Sequence, residues 1–313
     1  MAMMRHPNFF VAGVPKCGTT ALYKYLLSHP NIFLPQSVGG SLKQKEPHFF
    51  ADDIPGIQIC DSEKAYLHLF ADANDRHMAV GEASVMYLFS DVALERIARK
   101  YPESRIIIML RNPIEAVYSF HQELYNCHTE DLADFSVAWE AQEKRALGKN
   151  IPKRCANPNA LQYREVFRYA PQLEKLWSIF PREQTKVVVY DDFARDTRRT
   201  YQQILEFLGV PDDGRNDFQR VNKSKRNRSR MLSRLLFTPP AKVKSVAEWA
   251  KQNAGIDYTR VAIALTKLNQ AQHTRPVLSA GVREELKSSF EPDVRQTSRL
   301  LDRDLGYWTD LTP

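Results

Sequence analysis

A short apolar run that ends in glycine lies near the start of the chain, and a helical pattern follows one loop later. The run FFVAGV, Phe9 to Val14, has the composition of a strand buried in a parallel sheet. After PKCGTT, the segment ALYKYLLSHP places Leu22, Tyr25 and Leu26 on one helical face, and Pro30 lies just beyond its end. A strand joined to a helix by a glycine-containing loop predicts an α/β fold, with backbone N–H groups aimed at an anion.

The loop resembles a phosphate-binding loop with one residue moved. Gly13 and Gly18 match the glycines of the Walker A pattern, but Thr19 stands where that pattern has lysine, and the lysine of this loop is Lys16. A Walker B acid is also missing, because the next strand ends at Arg111. The loop therefore suits a phosphate without the usual metal–nucleotide chemistry. An ordinary strand-to-helix turn with a chance lysine is the structural alternative.

Two further apolar runs predict strands of the same sheet. RIIIML, Arg105 to Leu110, precedes a helical segment that begins at Pro113, and TKVVVYDDF, Thr185 to Phe193, is followed by the helical TRRTYQQILEFLGV. An amphipathic segment covers residues 161–180. This order predicts an α/β, P-loop-like, three-layer fold with a central parallel sheet flanked by helices on both faces.

The organisation of the rest of the chain favours one domain over residues 1–313. Residues 31–61 are rich in proline and glycine and are expected to form loops. The segments 243–272 and 282–305 are helical in pattern, so the domain has a helical C-terminal region from about residue 243. The sequence has no internal repeat and no low-complexity linker.

Composition excludes several classes of protein. With 313 residues and 43% hydrophobic residues, the chain can bury a large core, which excludes disordered and disulfide-scaffold proteins. Apolar runs stay well below the roughly 20 residues that cross a bilayer. The four cysteines, Cys17, Cys60, Cys127 and Cys155, show no CxxC spacing, so reduced thiols are expected. We therefore expect a soluble, unprocessed, cytoplasmic protein without a stable membrane anchor.

The net charge of +7 is concentrated in one segment. Between Arg220 and Arg234 there are seven Lys/Arg and no Asp/Glu, and the rest of the chain is neutral. A neutral body with one basic segment indicates a local anion site rather than a surface that follows a duplex. Aromatic residues do not alternate with the basic ones, which argues against single-stranded nucleic acid as the partner.

Two motifs together resemble those of a known family. PKCGTT after a strand is similar to the 5′-phosphosulfate loop of sulfotransferases that use 3′-phosphoadenosine 5′-phosphosulfate (PAPS), and RNPIEAVYS resembles their 3′-phosphate-binding segment. The resemblance extends to KEPHFF, GEASVMYL, YDDF and FEPDVRQTSRLLDRDLGYW, and so to nearly the whole chain. In motif it is closest to the heparan sulfate (glycan) sulfotransferase-like branch, which is also found in bacteria.

The resemblance implies roles for the donor-binding residues. Lys16 would contact the oxygen between the sulfuryl group and the 5′-phosphate, where charge builds as the S–O bond breaks. The loop would hold the 5′-phosphate, and Arg111 with Ser119 would hold the 3′-phosphate. The full set of implied donor-binding residues is Lys16, Cys17, Gly18, Thr19, Thr20, Ala21, Arg111, Ser119, Lys223, Lys225 and Arg226.

The last three belong to the basic segment 221–228, which resembles a loop that closes over the nucleotide in heparan-sulfate-type members. A solvated charge run is the structural alternative for this segment. No metal is required, because a sulfuryl group bears fewer charges than a terminal phosphoryl group. His121 and His128 share a helical face, but no third residue completes a familiar metal spacing.

The acceptor's proton needs a base, and the resemblance implies Glu46 in KEPHFF, with His48 as the alternative. Phe49 and Phe50 would shield the Glu46 carboxylate from water. Related glycan enzymes carry a lysine in an E-K-[ST]-P segment, where this chain has Ala83. This departure argues against a highly anionic glycan as the acceptor. Four further residues are candidates for the wall of the acceptor cleft: Tyr87, Tyr125, Tyr163 and Arg164.

The sequence thus predicts a PAPS-dependent sulfotransferase that yields 3′,5′-bisphosphoadenosine (PAP). The acceptor would be a hydroxyl, or less readily an amine, of a carbohydrate, lipid or small molecule, and no nucleic acid is expected as a partner. Two alternatives stay open. One is a degenerate P-loop nucleotide kinase, and the other is a nucleic-acid-binding protein that uses the 220–234 segment.

Overall fold

The computed structural model describes residues 5–36, 45–219, 225–237, 258–272 and 278–310. Its centre is a five-stranded, wholly parallel sheet with the strand order β2-β3-β1-β4-β5. A separate two-stranded antiparallel ladder joins β6 to β7. The strands are β1 Phe9–Gly13, β2 Ile32–Phe33, β3 Ala79–Glu82, β4 Arg105–Leu110, β5 Thr185–Val189, β6 Lys225–Asn227 and β7 Gln270–Gln272.

Helices connect and cover these strands. In chain order they are α1 Thr19–Leu27, α2 Glu63–His68, α3 Ala93–Lys100, α4 Pro113–Asn126, α5 Phe135–Glu140, α6 Gln142–Ala146, α7 Tyr163–Val166, α8 Tyr169–Ile179, α9 Tyr190–Arg195, α10 Thr197–Leu208, α11 Arg230–Phe237, α12 Tyr258–Asn269 and α13 Ala280–Leu301. Short 3₁₀ turns occupy Pro158–Leu161, Arg182–Gln184 and Gly306–Trp308. In the part of the chain that the structure describes, no helix has both the length and the apolar character needed to cross a membrane.

The sheet forms the centre of the core. Every residue of β1 is buried, and only Arg105 of β4 is exposed. Strands that are covered on both faces are apolar throughout rather than alternating, which explains the runs FFVAG and IIIML. The α/β fold with a central parallel sheet is confirmed.

The predicted strands are confirmed with one correction. β5 ends at Val189, and the predicted strand residues 190–193 form the start of α9. Asp191 and Asp192 lie in the first turn of this helix, where negative charge is favourable. β2 and β3 were not predicted. They contain two and four residues, too few to show a clear period.

The C-terminal region also differs in part from its prediction. The predicted helix to residue 272 ends at Asn269, and β7 follows. Residues 225–227 of the predicted basic loop form β6, which pairs with β7. α13 confirms most of the second predicted helix, and its Asp293 accepts hydrogen bonds from the Tyr169 and Ala170 amides (2.8 and 3.0 Å). Residues 243–257 lie outside the described residues.

Candidate functional site

A cavity of about 770 Å³ opens at the carboxyl ends of the central strands. Its lining includes Lys16 after β1, Met86 after β3, Arg111 after β4 and Tyr190 after β5. In open parallel sheets ligands bind outside this edge, because the loops and the helix N-termini converge there. The fold therefore positions the predicted phosphate residues in a single cavity.

The loop before α1 is shaped for an anion. Gly18 is the N-cap of α1 with φ 93°, a left-handed conformation that favours glycine, and it supplies no side chain to cap the helix. A Cβ at Gly18 would lie 2.9 Å from the Tyr190 ring, so the loop and this ring approach each other closely. The uncapped first turn leaves amides for a ligand beside Thr19 and Thr20, which both line the cavity.

The backbone amides of Cys17, in the loop, and Ala21, in α1, already donate hydrogen bonds within the chain. The Cys17 amide donates to the Val14 carbonyl (3.4 Å), and the Ala21 amide donates to the Gly18 carbonyl (2.9 Å), so both amides already have partners. The Cys17 side chain is fully buried, and burial raises the pKa of its thiol to about 12. This thiol is therefore a packing group rather than a nucleophile.

Lys16 lies at the centre of the charged residues in the cavity. Its backbone has φ 64°, and its Nζ lies 2.9 Å from Oε2 of Glu123 on α4. Its carbonyl accepts a hydrogen bond from Nη1 of Arg111 (3.3 Å). The lysine is thus connected to the second predicted phosphate-binding residue through its own backbone.

Arg111 is held by an aromatic ring and a carboxylate. Its guanidinium lies 4.7 Å from the centroid of the Tyr190 ring and pairs with Glu115, one turn into α4. Ser119, one turn further along α4, is buried and lines the cavity. The structure thus brings Lys16, Thr19, Thr20, Arg111 and Ser119 together, as predicted from the two motifs.

Glu46 and His48 line the same cavity. The Glu46 carboxylate is about one-third exposed, and its Oε2 lies 3.8 Å from His48 Nε2. His48 is 6% exposed, and its Nε2 has no hydrogen-bond partner. Burial lowers the pKa of His48, which keeps its imidazole neutral near pH 7. Both candidate bases therefore line the cavity, but Glu46 is partly exposed and paired, whereas His48 is buried and its Nε2 is unpartnered.

Lys45 is a site residue that sequence reasoning missed. Its side chain is 1% exposed, and its Nζ lies 2.5 Å from Oε1 of Glu46 and 5.9 Å from the Tyr23 ring centroid. Its carbonyl accepts a hydrogen bond from the Ala83 amide (3.2 Å). The backbone of Lys45 therefore contacts the backbone of Ala83, while its buried ammonium contacts the Glu46 carboxylate. The only sequence signal was its position directly before Glu46.

Glu82, at the end of β3, was also missed. It is fully buried, and it accepts hydrogen bonds from the hydroxyls of Ser84 (2.5 Å), Tyr87 (2.6 Å) and Tyr66 (3.4 Å). Burial raises the pKa of this carboxyl to about 7, against the effect of these hydrogen bonds. Ser84 Oγ in turn accepts from the His48 amide (2.9 Å). This connection helps to hold His48, whose φ of 49° lies in the left-handed region.

Several predicted neighbours of the acceptor lie elsewhere. Tyr87 and Tyr163 are fully buried, and their hydroxyls donate to Glu82 and Glu130 (both 2.6 Å), so their assignment to the cleft wall was wrong. Tyr125 lies under the guanidinium of Arg230, and the Arg164 Nε donates to Ser289. These residues do not line the cavity among the described residues.

Phe49 and Phe50 do not shield the Glu46 carboxylate as predicted, because both rings pack against Tyr66. The Phe49 ring stacks on Tyr66 with a centroid distance of 4.5 Å, and Phe50 packs edge-on against the same tyrosine. The close neighbour of the Glu46 carboxylate is therefore an ammonium rather than a phenyl ring.

For the basic segment, the structure describes only part of the prediction. Lys223 lies outside the described residues, and Lys225 and Arg226 are described as part of β6. Where the structure is described, no group of three or more His, Cys, Asp or Glu side chains is arranged to hold a metal. His121 Nε2 instead lies 3.0 Å from the Leu132 carbonyl, and His128 Nε2 lies 3.1 Å from Ser233 Oγ.

Comparisons with known proteins show which proteins the chain is similar to. The family model described as sulfotransferase domain matches residues 6–231. A solved structure of a sulfotransferase from Alicyclobacillus acidocaldarius aligns with 97% of this chain and 99% of that one, at 28% identity and a TM-score of 0.67.

Two curated relatives are longer proteins. Bifunctional heparan sulfate N-deacetylase/N-sulfotransferase 1 of Caenorhabditis briggsae is 22% identical over 213 residues, which cover 66% of this chain and 23% of that protein. Carbohydrate sulfotransferase 15 of Mus musculus is 26% identical over 259 residues, which cover 65% of this chain and 44% of that protein. The chain thus matches less than half the length of these relatives.

Proposed function

Since the chain belongs to the sulfotransferase domain family, we propose that its donor is PAPS and that it transfers the sulfuryl group to a hydroxyl, or less readily an amine, by in-line displacement. The observation that carries this proposal is the convergence of two cationic phosphate sites in one cavity. Lys16 with the uncapped start of α1 forms one site, and Arg111 with Ser119 forms the other.

The residues present fit this donor. The first site suits a 5′-phosphosulfate because glycine amides and a helix N-terminus favour an anion there. The second suits a 3′-phosphate because a guanidinium fork and a hydroxyl can bind one phosphate together. The same cavity has an aromatic wall that suits a purine base, in which the Tyr25 ring lies 5.1 Å from Phe218 and 6.0 Å from Phe193.

In the proposed reaction the donor supplies the group that is transferred, and the residues of this chain bind the donor and stabilise the transition state. PAPS supplies the sulfuryl group and leaves as PAP. Lys16 places a positive charge where negative charge develops on the leaving oxygen, which stabilises the transition state more than the ground state. This role requires no metal, because one ammonium can neutralise the charge that develops there.

We propose Glu46 as the base, with His48 as the alternative. Glu46 is the more accessible of the two, with about one-third of its side chain exposed, whereas His48 is almost fully buried. The unpartnered Nε2 of a neutral His48 supports the alternative. A Glu46→Gln variant that loses roughly 10²-fold or more in turnover, while His48→Asn keeps most of it, supports Glu46, and the reverse supports His48.

For the acceptor, the names of the two relatives support a carbohydrate. One of them is named an N-sulfotransferase, so an amine of a carbohydrate is compatible with these names as well as a hydroxyl. The cavity contains apolar residues such as Ile57, Val85 and Met86 besides its charged ones, so a lipid or small-molecule hydroxyl is compatible with it as well.

The test of this function is transfer of radiolabelled sulfate from PAPS into an extract of the source cell. We expect a labelled product with the wild-type protein and almost none with Lys16→Ala. Equal labelling with both proteins would contradict the assignment of Lys16. Magnesium-dependent ATP turnover without sulfate transfer would support the kinase alternative instead.

A further inference from the structure

Helix α4 carries three polar residues at four-residue spacing, Glu115, Ser119 and Glu123, so their side chains lie near one face. Ser119 and Glu123 line the cavity, whereas Glu115 does not. Each carboxylate pairs with one of the cations assigned to the donor, Glu115 with Arg111 and Glu123 with Lys16. Both cations line the cavity, and of the two carboxylates Glu123 is the one that lines it as well.

The pair between Lys16 and Glu123 is suited to exchange. It rests on one contact of 2.9 Å, and the two side chains are 29% and 49% exposed. Partly exposed ion pairs of this kind are weak, because water solvates both partners well when they separate. A phosphosulfate bound at the start of α1 would compete for the same ammonium with a larger charge than one carboxylate.

We propose that Glu123 is a positioning residue for Lys16, one that holds the ammonium over the cavity until the donor takes it. This inference rests on the proposed donor. The donor then binds in competition with Glu123, and the released carboxylate remains on α4 at the edge of the occupied site.

No other acidic side chain among the described residues that line the cavity pairs with Lys16. Glu46 is already paired with the buried Lys45, and Arg111 with Glu115. Arg154 is the remaining cation among the described residues that line the cavity. Removing the Glu123 charge therefore frees Lys16 for the donor and also lowers repulsion of its phosphates.

The test is calorimetric titration of the whole protein with PAP at low salt. We expect Glu123→Gln to bind PAP about two- to fivefold more tightly than wild type, from the strength of exposed ion pairs. Glu123→Ala should raise PAP affinity by a similar factor, which would show that the gain does not depend on the glutamine side chain. If Glu123 only supported the fold, both variants would bind PAP more weakly, and unchanged or weaker binding would overturn the proposal.

A matched control is Glu291→Gln on α13. Glu291 forms a 2.8 Å pair with Arg295 and is 45% exposed, similar to Glu123, but it lies outside the cavity lining. This variant removes the same charge and should leave PAP affinity unchanged. An equal gain with Glu291→Gln would show a general charge effect and overturn the proposal.

Repeating the titration in a Lys16→Met protein separates two ways in which Glu123→Gln could raise PAP affinity. One is release of the Lys16 ammonium, and the other is loss of repulsion between Glu123 and the phosphates. In a Lys16→Met protein, Glu123→Gln should give less than half of its gain in PAP affinity, because no ammonium is left to release. An equal gain in both backgrounds would overturn the pairing role. Failure of the donor itself is distinguishable, since wild-type protein would then bind PAP no better than 5′-AMP.

Discussion

Two ion pairs near α4 differ in their burial and in the number of hydrogen bonds that join the partners. Glu130 and Arg145 are fully buried, and two hydrogen bonds of 2.6 and 2.8 Å join them. The Tyr163 hydroxyl and the Leu132 amide also donate to Glu130 (2.6 and 2.9 Å). The pair of Lys16 and Glu123 has a single contact and remains partly exposed.

The difference separates charges that maintain the fold from charges that are available to a ligand. A fully satisfied buried pair cannot exchange partners, because either ion left alone in the core is costly. A half-exposed pair exchanges readily. Both pairs involve residues that a charge count treats alike, so only burial and hydrogen bonding distinguish them.

The largest effect is expected from breaking the buried pair. Arg145→Met leaves the Glu130 carboxylate buried without its cation, which should lower the free energy of unfolding by about 3–5 kcal/mol. Chemical denaturation measures this loss. Arg295→Met is the control, because that arginine is 65% exposed and its variant should stay close to wild type. Similar stability of both variants would contradict the distinction.

Breaking the exchangeable pair should affect turnover instead. Lys16→Met removes the charge that we propose lies beside the leaving oxygen, and it should lower turnover by about 10²–10³-fold, with the stability almost unchanged. Sulfate transfer and denaturation on the same preparation give the two numbers. Wild-type turnover, or a loss of stability similar to that of Arg145→Met, would remove Lys16 from this role.

Glu82 provides a third case, because it is buried as fully as Glu130 but its hydrogen-bond partners among the described residues are the three hydroxyls of Ser84, Tyr87 and Tyr66. Burial raises the pKa of Glu82 from 4.5 to about 7, so the folded protein holds a proton that the unfolded chain has released. The stability of the protein should therefore fall as pH rises from about 4.5 to 7, by up to roughly 3 kcal/mol from this group. Denaturation curves at pH 5 and pH 8 should show a smaller fall for Glu82→Gln.

Glu130 should behave in the opposite way. Burial opposes ionisation there, but the hydrogen bonds from Arg145 and Tyr163 outweigh it and hold the pKa of Glu130 below its usual value. Its contribution to stability is therefore present above about pH 4.5 and is lost as pH falls through its lowered pKa. If Glu82→Gln changed stability equally at pH 5 and pH 8, the contrast between the two carboxyls would fail.

The smallest effect is expected at Ser119. Ser119→Ala removes the hydroxyl that we propose donates to the 3′-phosphate. A hydrogen bond to a charged group is worth about 1.5 kcal/mol, or roughly tenfold in affinity. Titration should show weaker PAP binding with 5′-AMP binding unchanged. Ser178→Ala, near the end of α8 and outside the cavity lining, is the control for loss of a helix hydroxyl. Equal losses for both nucleotides would assign Ser119 a packing role.

The donor half of the site was predictable because its chemistry is local in sequence. Lys16 lies in the loop after β1, Thr19 and Thr20 begin α1 directly after it, and Arg111 and Ser119 lie at the end of β4 and on the helix that follows. The apolar runs of β1 and β4 are long enough to be recognised as buried strands. Such features depend on neighbouring residues, and so they can be read along the chain.

The other half could not be predicted because it depends on long-range contacts. Lys45 lies in no recognisable sequence motif, and its importance follows from the burial of its ammonium against the Glu46 carboxylate. The pairing of Glu123 with Lys16 joins residues more than 100 positions apart. Tyr87 and Tyr163 were misassigned for the same reason, since their core positions appear only when Glu82 and Glu130 are placed.

The central claim is that the cavity binds a nucleotide with phosphates at both ends of its ribose, and titration of the wild-type protein with PAP and 5′-AMP tests it most directly. Both ligands share the adenosine and the 5′-phosphate, so they differ only at the group assigned to Arg111 and Ser119. We expect PAP to bind at least tenfold more tightly than 5′-AMP, because the 3′-phosphate adds charge-assisted hydrogen bonds. Equal affinities would contradict it.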